Sequence, residues 1–423
     1  MNLDKHFPRY RDFDPLVPAW CVTPERPGGI HRFFDTSPFS PSGRYLAVFH
    51  LPFEDRLPAP GDAGHVAVVD LDTGAERIVA ETRGWEPQMG ANVNWGASDR
   101  DLFFNDVLPG EWRPCAWKLD PASGRRERMD GPVYHASPDG RWLIAANMTT
   151  MRRTQPGYGV VVPDALVTAH RGAVADDGFT LTDTATGATR LRFTIRDLLT
   201  RAEPPVRLDD PDTVEIYGFH AKFNPQGDRL MLSLRWYPAG DGPVFDAFAV
   251  HRGNVGFAWI TTDLDGRAMH CAVGPDQWRK RGHHATWFPD GRRISMNLNL
   301  DGDGMRFVQV NEDGSELRRM LDGVTGSGHP TVHRDGRYLL TDAYTREPTA
   351  FGDGTVPLRW LDLASGTEQA AVRIHTKPDC AIPSLRVDPH PAWDRHARFV
   401  AFNGFVGGTR RVFVADFAPL LDA

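Results

Sequence analysis

Four histidines occupy the same position in a repeated sequence pattern, and each is followed three residues later by an apolar residue. They are His220, His284, His329 and His390. A strand that starts at the same place in four neighbouring modules would direct four imidazoles towards one point. Neutral imidazole is the commonest metal ligand in proteins. The pattern therefore predicts that these four histidines bind a divalent metal ion, and ligand type alone leaves Mn, Ca and Zn open as its identity.

The alternative is that the histidines line a wet channel or bond to backbone at strand ends. The occurrence of four histidines at the same position of the repeat favours the metal site, because only 16 of the 423 residues are histidine. Three further modules carry Thr36, Asn92 and Val133 at this position. The ring formed by these seven positions is thus asymmetric, as expected where a substrate must approach from one side. Asn92 is a candidate substrate-binding residue.

Other side chains could transfer protons or hold an anion. The candidates are Arg235, Arg152, Tyr344, His283, Tyr158 and His31. Arginine binds carboxylates through two parallel hydrogen bonds, which suits Arg235 or Arg152. Tyr344 and His283 are candidates for proton transfer, and Tyr158 for substrate contact. On a regular strand His283 would point away from its neighbour His284. For each candidate, a purely structural or solvated role is the alternative.

Two alternating submotifs supply the elements that position these residues. The first is a Pro- and Gly-containing turn followed by apolar alternation, as in "SPDGRWLIAA" at 137–146. The second is a strand, a D-x-x-x-G turn and another strand, as in "VAVVDLDTGAERIV" at 66–79. Such patterns are typical of antiparallel strands joined by tight turns. Together one pair of submotifs predicts a four-stranded antiparallel unit.

The chain contains seven such units, whose first strands are expected near the seven register positions. The last unit has only three strands, and segment 15–23 could supply the fourth and close the ring. The prediction is an all-β, seven-bladed β-propeller that forms one domain over residues 1–423. Segments 194–202 and 274–282 are expected to be short helices or loops. The longest insertion, 148–178, is expected to be functional or disordered.

Composition excludes several classes of function. A net charge of −7 and a pI near 6.1 give no basic surface for nucleic acid. The four cysteines lack C-x-x-C spacing, so reduced thiols are expected. Neither an apolar signal-peptide segment nor a run of about 18 apolar residues is visible. We therefore expect a cytoplasmic protein without membrane contact, and its oligomeric state stays open.

Several motifs resemble a known family over nearly the whole chain. They are "IHRFFDTSPFSPSGRY", "GANVNWG", "GYGVVVPD", "GHHATWFPDG", "MNLNLDGD", "GSGHPTVH", "AFGDGTVPLR" and "HPAWD" followed by "FNGFVGGTRRVFVADF". They resemble the seven-bladed propeller enzymes that act on L-rhamnose-α-1,4-D-glucuronate, a family of lyases with an α-L-rhamnosidase branch. The predicted metal ring more distantly resembles that of oligogalacturonate lyases, which hold a divalent metal with histidines and a glutamine.

The resemblance implies cleavage of a small uronic-acid-containing oligosaccharide by metal-assisted β-elimination. In the hydrolase branch the catalytic histidine lies on the face opposite the metal, and His31 matches that position, so hydrolysis stays an alternative. His220 stands where the lyase pattern would place glutamine. A third possibility, a non-catalytic binding platform, is disfavoured by the histidine register, since fold alone does not establish function.

Overall fold

Tight turns and alternating strands build seven sheets around a central channel. The computed structural model describes residues 2–239, 255–377 and 380–422. Two short N-terminal strands come first, β1 (Arg9–Tyr10) and β2 (Ala19–Cys21). Blade 1 consists of β3 (Gly29–Ile30), β4 (Tyr45–His50), β5 (Gly64–Asp70) and β6 (Glu76–Thr82). Blade 2 consists of β7 (Asn94–Trp95), β8 (Leu102–Val107), β9 (Pro114–Leu119) and β10 (Arg126–Arg128). Blade 3 consists of β11 (His135–Ala136), β12 (Trp142–Ala146), β13 (Gly178–Asp183) and β14 (Thr189–Thr194).

The remaining blades repeat this antiparallel order. Blade 4 consists of β15 (Val214–Phe223), β16 (Arg229–Pro238), β17 (Gly256–Asp263) and β18 (His270–Val273). Blade 5 consists of β19 (Gly282–Trp287), β20 (Arg293–Leu298), β21 (Arg306–Asn311) and β22 (Arg318–Arg319). Blade 6 consists of β23 (Thr331–Val332), β24 (Tyr338–Thr341), β25 (Thr355–Asp362) and β26 (Glu368–His375). Blade 7 contains β27 (Ala392–Trp393), β28 (Phe399–Val406) and β29 (Thr409–Asp416). The all-β, seven-bladed propeller is thus confirmed.

The N-terminus closes the ring as predicted. Strand β2 pairs antiparallel with β29, with Ala19 opposite Ala415, and β1 adds a fifth strand outside it. This closure protects the last blade, which would otherwise present an unpaired edge.

Glycine at left-handed turn positions explains why the first submotif recurs. In "SPDGRW", Gly140 has φ +68°, and a Cβ there would lie 2.8 Å from the backbone nitrogen of Ala97 in blade 2. Glycine alone adopts this conformation without strain. The turn therefore fixes the hairpin and also allows neighbouring blades to approach closely.

Apolar side chains fill the space between blades. Strand β8, for example, is buried along its whole length, because blades 1 and 3 cover its two faces. The largest cluster joins blades 3 and 4 through residues such as Phe179 and Ile216. The four cysteines are free thiols, as expected.

The described part of the chain contains five short α-helices. They are α1 (Leu3–His6), α2 (Met151–Thr154), α3 (Ile195–Arg201), α4 (Pro275–Trp278) and α5 (Ala418–Leu421). The Thr194 hydroxyl caps α3 by accepting from the Asp197 N–H. Helix α3 connects blades 3 and 4, and α4 connects blades 4 and 5. Both lie within the two segments predicted to be helices or loops. None of the helices described is both long and apolar enough to cross a membrane.

The prediction for the first strand of blade 1 is wrong. It was expected near Thr36, but β3 ends at Ile30. The chain then leaves the sheet for residues 31–37, which we call the plug, and returns at the Phe39–Leu46 bridge. The plug enters the central channel, where its side chains contact the inner strands of several blades.

Candidate metal centre

The plug places one phenyl ring against all four register histidines. The centroid of Phe33 lies 5.6, 6.2, 5.5 and 4.7 Å from the imidazole centroids of His220, His284, His329 and His390, in that order. The four imidazole planes stand at 72–77° to the phenyl plane. Edge-to-face contact of this kind is favourable between aromatic rings. The register in the sequence therefore corresponds to one cluster in space.

Three of the imidazoles lie in direct contact. The rings of His284 and His329 stack at 3.9 Å, and those of His329 and His390 meet edge to face at 4.3 Å. His284 and His390 adopt left-handed backbone conformations, with φ of +57° and +50°. Asn92, at the same register position in blade 2, does the same with φ +51°. Such strain in non-glycine residues is characteristic of functional sites.

Asp342 fixes the orientation of His329. The carboxylate Oδ1 lies 2.8 Å from Nδ1 of His329 and also accepts from the His329 backbone N–H. Its Oδ2 accepts from the backbone N–H of His390 at 3.0 Å. With Nδ1–H donated to Asp342, the buried Nε2 of His329 carries the lone pair, and it has no described hydrogen-bond partner. A carboxylate that orients a histidine in this way is typical of metal sites.

His390 adds two unpartnered nitrogens and brings a carboxylate with it. Neither ring nitrogen of His390 hydrogen-bonds to a described residue. One ligand atom from each of His329, His390 and Asp388 lies within 4.8 Å of the other two. Oδ2 of Asp388, which lies 3.8 Å from Nε2 of His390, also accepts from Nε of Arg386 at 2.8 Å. Two imidazoles and a carboxylate are a donor set that suits a divalent transition metal.

His283 and His284 lie together, which corrects the expectation that they point to opposite faces. The pairing of β19 with β20 shifts register between His283 and Thr286, and the left-handed backbone of His284 turns its ring back. The two Nδ1 atoms are 2.9 Å apart. Nδ1 of His284 also bonds the Gly328 carbonyl at 2.8 Å, and its Nε2 lies 3.3 Å from the Tyr344 hydroxyl.

His220 stands apart from the other three histidines. In the described chain its ring contacts Phe33, Phe219 at 4.1 Å and Tyr134 at 5.2 Å rather than another register imidazole. Its Nε2 is buried without a partner. The structure therefore gathers His284, His329 and His390, and it places His220 at the same phenyl ring but outside their contact.

Burial keeps the histidines neutral. It lowers the pKa of His220, His284 and His390 well below the usual value, and that of His283 to about 3. Neighbouring cations and imidazoles act in the same direction, with Lys222 the largest contributor at His220. A neutral imidazole is the form that binds a metal. The unpartnered nitrogens and the neutral rings together fit a divalent ion.

Arg235, on β16, is a cation without a described carboxylate partner. Its Nη1 donates to the Gln155 side chain at 2.7 Å, and its guanidinium lies 3.4 Å above the Phe219 ring. Burial lowers its pKa to about 9, and no described carboxylate offsets that effect. A partly buried guanidinium in this state favours an anionic ligand.

Arg152 and Tyr158 lie on the long insertion predicted to be functional. Arg152 is held by the Asp164 carboxylate and the Val162 carbonyl, both at 2.8 Å. Tyr158 is buried, and its ring lies 6.2 Å from that of His220. Arg152 and Tyr158 also line a mostly apolar pocket of about 210 Å³. Tyr158 therefore adjoins both the cluster and this pocket, whereas Arg152 adjoins only the pocket.

His31 and Asn92 lie inside the channel wall. His31 is buried beside His390, close enough that its charge lowers the pKa of that imidazole, and its ring faces the backbone of Pro389 and His390. Burial lowers the pKa of His31 to about 4. Asn92 accepts from Arg32 at 3.3 Å and donates to Glu86 at 3.4 Å. The Asn92 amide thus links the plug to the wall.

Sequence reasoning missed four residues of this site. They are Phe33, Asp342, Arg386 and Asp388. Only Asp388 left a usable signal, since it stands two residues before His390 in "DPHP". The contact between Asp342 and His390 joins two blades and could not be read from a local pattern.

The comparisons with known proteins show the fold. No protein-family model and no curated protein sequence matches the chain. An oligogalacturonate lyase in complex with manganese is similar, with 16% identity, coverage of 97% of this chain and 96% of that one, and a TM-score of 0.62. An oligogalacturonate lyase from Vibrio parahaemolyticus is similar at 15% identity, with the same coverage and a TM-score of 0.63.

Proposed function

We propose that this protein is a metal-dependent lyase that cleaves a uronic-acid-containing oligosaccharide by β-elimination. One observation carries the proposal: buried imidazole nitrogens without described partners gather around the Phe33 ring, and a guanidinium without a described carboxylate partner, that of Arg235, acts on one of these imidazoles, His220. The first group suits a divalent metal and the second suits a carboxylate. The manganese complex of a structurally similar oligogalacturonate lyase supports the same class of reaction.

His329, His390 and Asp388 would hold the metal, with His284 beside them. A bound divalent ion would act as a Lewis acid that draws charge from the uronate carboxylate and makes its C5 proton more acidic. Manganese is the first candidate because of the similar complex, and the donor set also suits zinc.

The protein side chains have separate tasks in this reaction. Arg235 binds the uronate carboxylate and orients the sugar. The neutral imidazole of His283 accepts the C5 proton, the C4–O bond breaks, and a C4=C5 double bond forms. Tyr344 keeps its proton because burial raises its pKa well above the usual value, so it can donate to the leaving oxygen. Tyr158, on the adjoining loop, contacts the sugar.

The finer substrate proposal is a rhamnosyl-glucuronate linkage. It rests on the resemblance of motifs such as "GHHATWFPDG" and "GSGHPTVH" to the enzymes that act on that disaccharide. Such a substrate offers one carboxylate to Arg235, and its neutral sugar can lie towards the apolar pocket beside Tyr158.

The test is incubation of purified protein with a rhamnosyl-glucuronate disaccharide and, separately, with digalacturonate. Each is run with Mn²⁺ and with a chelator while the ultraviolet absorbance of a 4,5-unsaturated uronate is followed. A chelator-sensitive rise with either substrate supports elimination, and the better substrate identifies the linkage. No rise with either would contradict the proposal.

Two matched variants test whether the metal ion binds at the histidine cluster. His390→Ala removes a member of the metal-binding group and should lower Mn²⁺ affinity by about 100-fold or more. His220→Ala removes an equally buried imidazole outside that group and should have a much smaller effect. Equal effects would mean that the ion is held differently from this assignment.

A second candidate is α-L-rhamnoside hydrolysis through His31, favoured by the burial of this imidazole beside His390, which lowers its pKa to about 4. It predicts free rhamnose without unsaturated product, unaffected by chelator and lost in His31→Ala. The same incubation, analysed for both products, distinguishes the two reactions.

A further inference from the structure

The plug fills one side of the histidine cluster with hydrocarbon. Phe33 is 0% exposed and contacts all four imidazoles, and Phe34 lies 5.8 and 5.1 Å from the rings of His284 and His329. Neither phenyl ring carries an atom that can bind a metal ion. The planes of all four imidazoles are inclined at 72–77° to the plane of Phe33, so the phenyl ring meets each of them in a T-shaped contact.

The charged groups packed against the two phenyl rings make this side unfit for a cation. The Lys222 ammonium lies 5.6 Å from the Phe33 ring and 5.0 Å from the Phe34 ring. It pairs with Asp35 at 2.7 Å, and the same carboxylate pairs with Arg32 at 2.9 Å. Two cations and one anion, all almost completely buried, leave a net positive charge. That charge repels a second cation strongly in a medium of low dielectric constant.

The other side of the cluster is polar. Tyr344 touches His284, and Arg386 and Asp388 adjoin His390. The side chain of Arg386 is 30% exposed, whereas Phe33 is fully buried. Water and an anionic substrate therefore have a favourable approach on this side.

We propose that Phe33 is a positioning residue that closes one side of the metal centre. Every exchangeable oxygen ligand, whether water or a substrate carboxylate, then binds from the side of Tyr344 and Arg386. This inference rests on the proposed metal site and adds a direction of approach to it. It also gives the plug a role: the plug prevents water from entering the coordination sphere opposite the substrate.

The experiment counts the exchangeable waters on bound Mn²⁺ by water-proton relaxation, with Mn²⁺ alone as the probe and the full chain as the protein. The parent is compared with Phe33→Ala, which opens a space next to polar imidazole edges that is large enough for a water molecule. The matched control is Phe402→Ala, which removes a fully buried phenyl from the core around blades 6 and 7. Circular dichroism checks that each variant is folded.

We expect the number of exchangeable waters to rise by about one in Phe33→Ala and to stay unchanged in Phe402→Ala. An unchanged number in folded Phe33→Ala would overturn the inference. So would a loss of Mn²⁺ binding in folded Phe33→Ala, because a residue that only shields the ion supplies no ligand. If Phe33→Ala does not fold, the exchangeable waters are counted in Phe33→Leu instead and judged by the same criteria. Failure of the parent to bind Mn²⁺ is a separate result, which contradicts the proposed function itself.

Discussion

Replacing Asp342 by asparagine tests whether the histidine cluster is built for a metal. Asp342 is 1% exposed, and its carboxylate faces the ring Nδ1 of His329 and the backbone N–H groups of His329 and His390. Asparagine has nearly the same shape and keeps one acceptor oxygen. Its NH₂ group then faces one of these donors, and the negative charge that strengthens the bonds is lost.

The size of the effect follows from these contacts. A buried donor left without its acceptor costs about 1–3 kcal/mol. Loss of a carboxylate that orients a ligand histidine lowers metal affinity by about 10–100-fold, or roughly 1.4–2.8 kcal/mol. We therefore expect Asp342→Asn to weaken Mn²⁺ binding by about 10–100-fold. Isothermal titration calorimetry measures the affinity, and chemical denaturation of the metal-free protein measures the stability separately.

The control is another buried carboxylate with a similar number of bonds. Glu215, on β15 of blade 4, accepts hydrogen bonds from the side chains of Arg153, Tyr217 and Tyr237. Glu215→Gln should lower the free energy of unfolding and leave Mn²⁺ affinity unchanged. If Asp342→Asn also loses stability but keeps an affinity within about a factor of two of the parent, Asp342 is a structural residue and the reasoning is refuted.

Two further predictions concern charge. Arg235→Met removes a guanidinium without a described carboxylate partner, so the free energy of unfolding should rise by about 1 kcal/mol while kcat/KM falls by about 100-fold or more. Denaturation measures the first quantity and the elimination assay the second. A fall in both the free energy of unfolding and kcat/KM would contradict the anion-binding role. Burial lowers the pKa of His135 to about 3. Between pH 6.5 and 3 the unfolded chain therefore binds a proton at this imidazole that the folded chain does not bind. The free energy of unfolding consequently falls as the pH falls through this range. His135→Gln should therefore make the decline in unfolding free energy between pH 6.5 and 4.5 shallower by up to about 1.4 kcal/mol per pH unit, and an unchanged slope would show that His135 is protonated in the native state.

The propeller could be predicted because its information is local and repeated. Turns such as the one at Gly140 place glycine at a left-handed position, and the two submotifs recur along the chain, so the copies reinforce one another. The closing strand was also predictable, since the last unit lacks one strand and segment 15–23 can supply it. The turn and strand patterns depend on residues that are close in sequence, and the closing strand follows from counting the strands of the last unit.

The centre itself depends on contacts between blades, which leave little local trace. The first strand of blade 1 was predicted near Thr36, but residues 31–37 leave the sheet and bury Phe33 against imidazoles from four other blades. His283 and His284 lie together only because the backbone of His284 is left-handed. The bond from His390 to Asp342 spans 48 residues of sequence. The sequence could therefore indicate which histidines share a register, but not that His220 would stand apart.

The placement of unpartnered polar groups supports a functional centre more strongly than the histidine count does. Ion pairs such as Arg398–Asp416 satisfy the charges on the outer rim. In the channel, by contrast, imidazole nitrogens of His220, His329 and His390 are buried without described hydrogen-bond partners. Arg235 adds a cation that no described carboxylate neutralises. A channel selected only for stability would replace such groups with apolar side chains, as the plug does with Phe33 and Phe34. Their retention in the channel is what a site that binds a cation and an anion together requires.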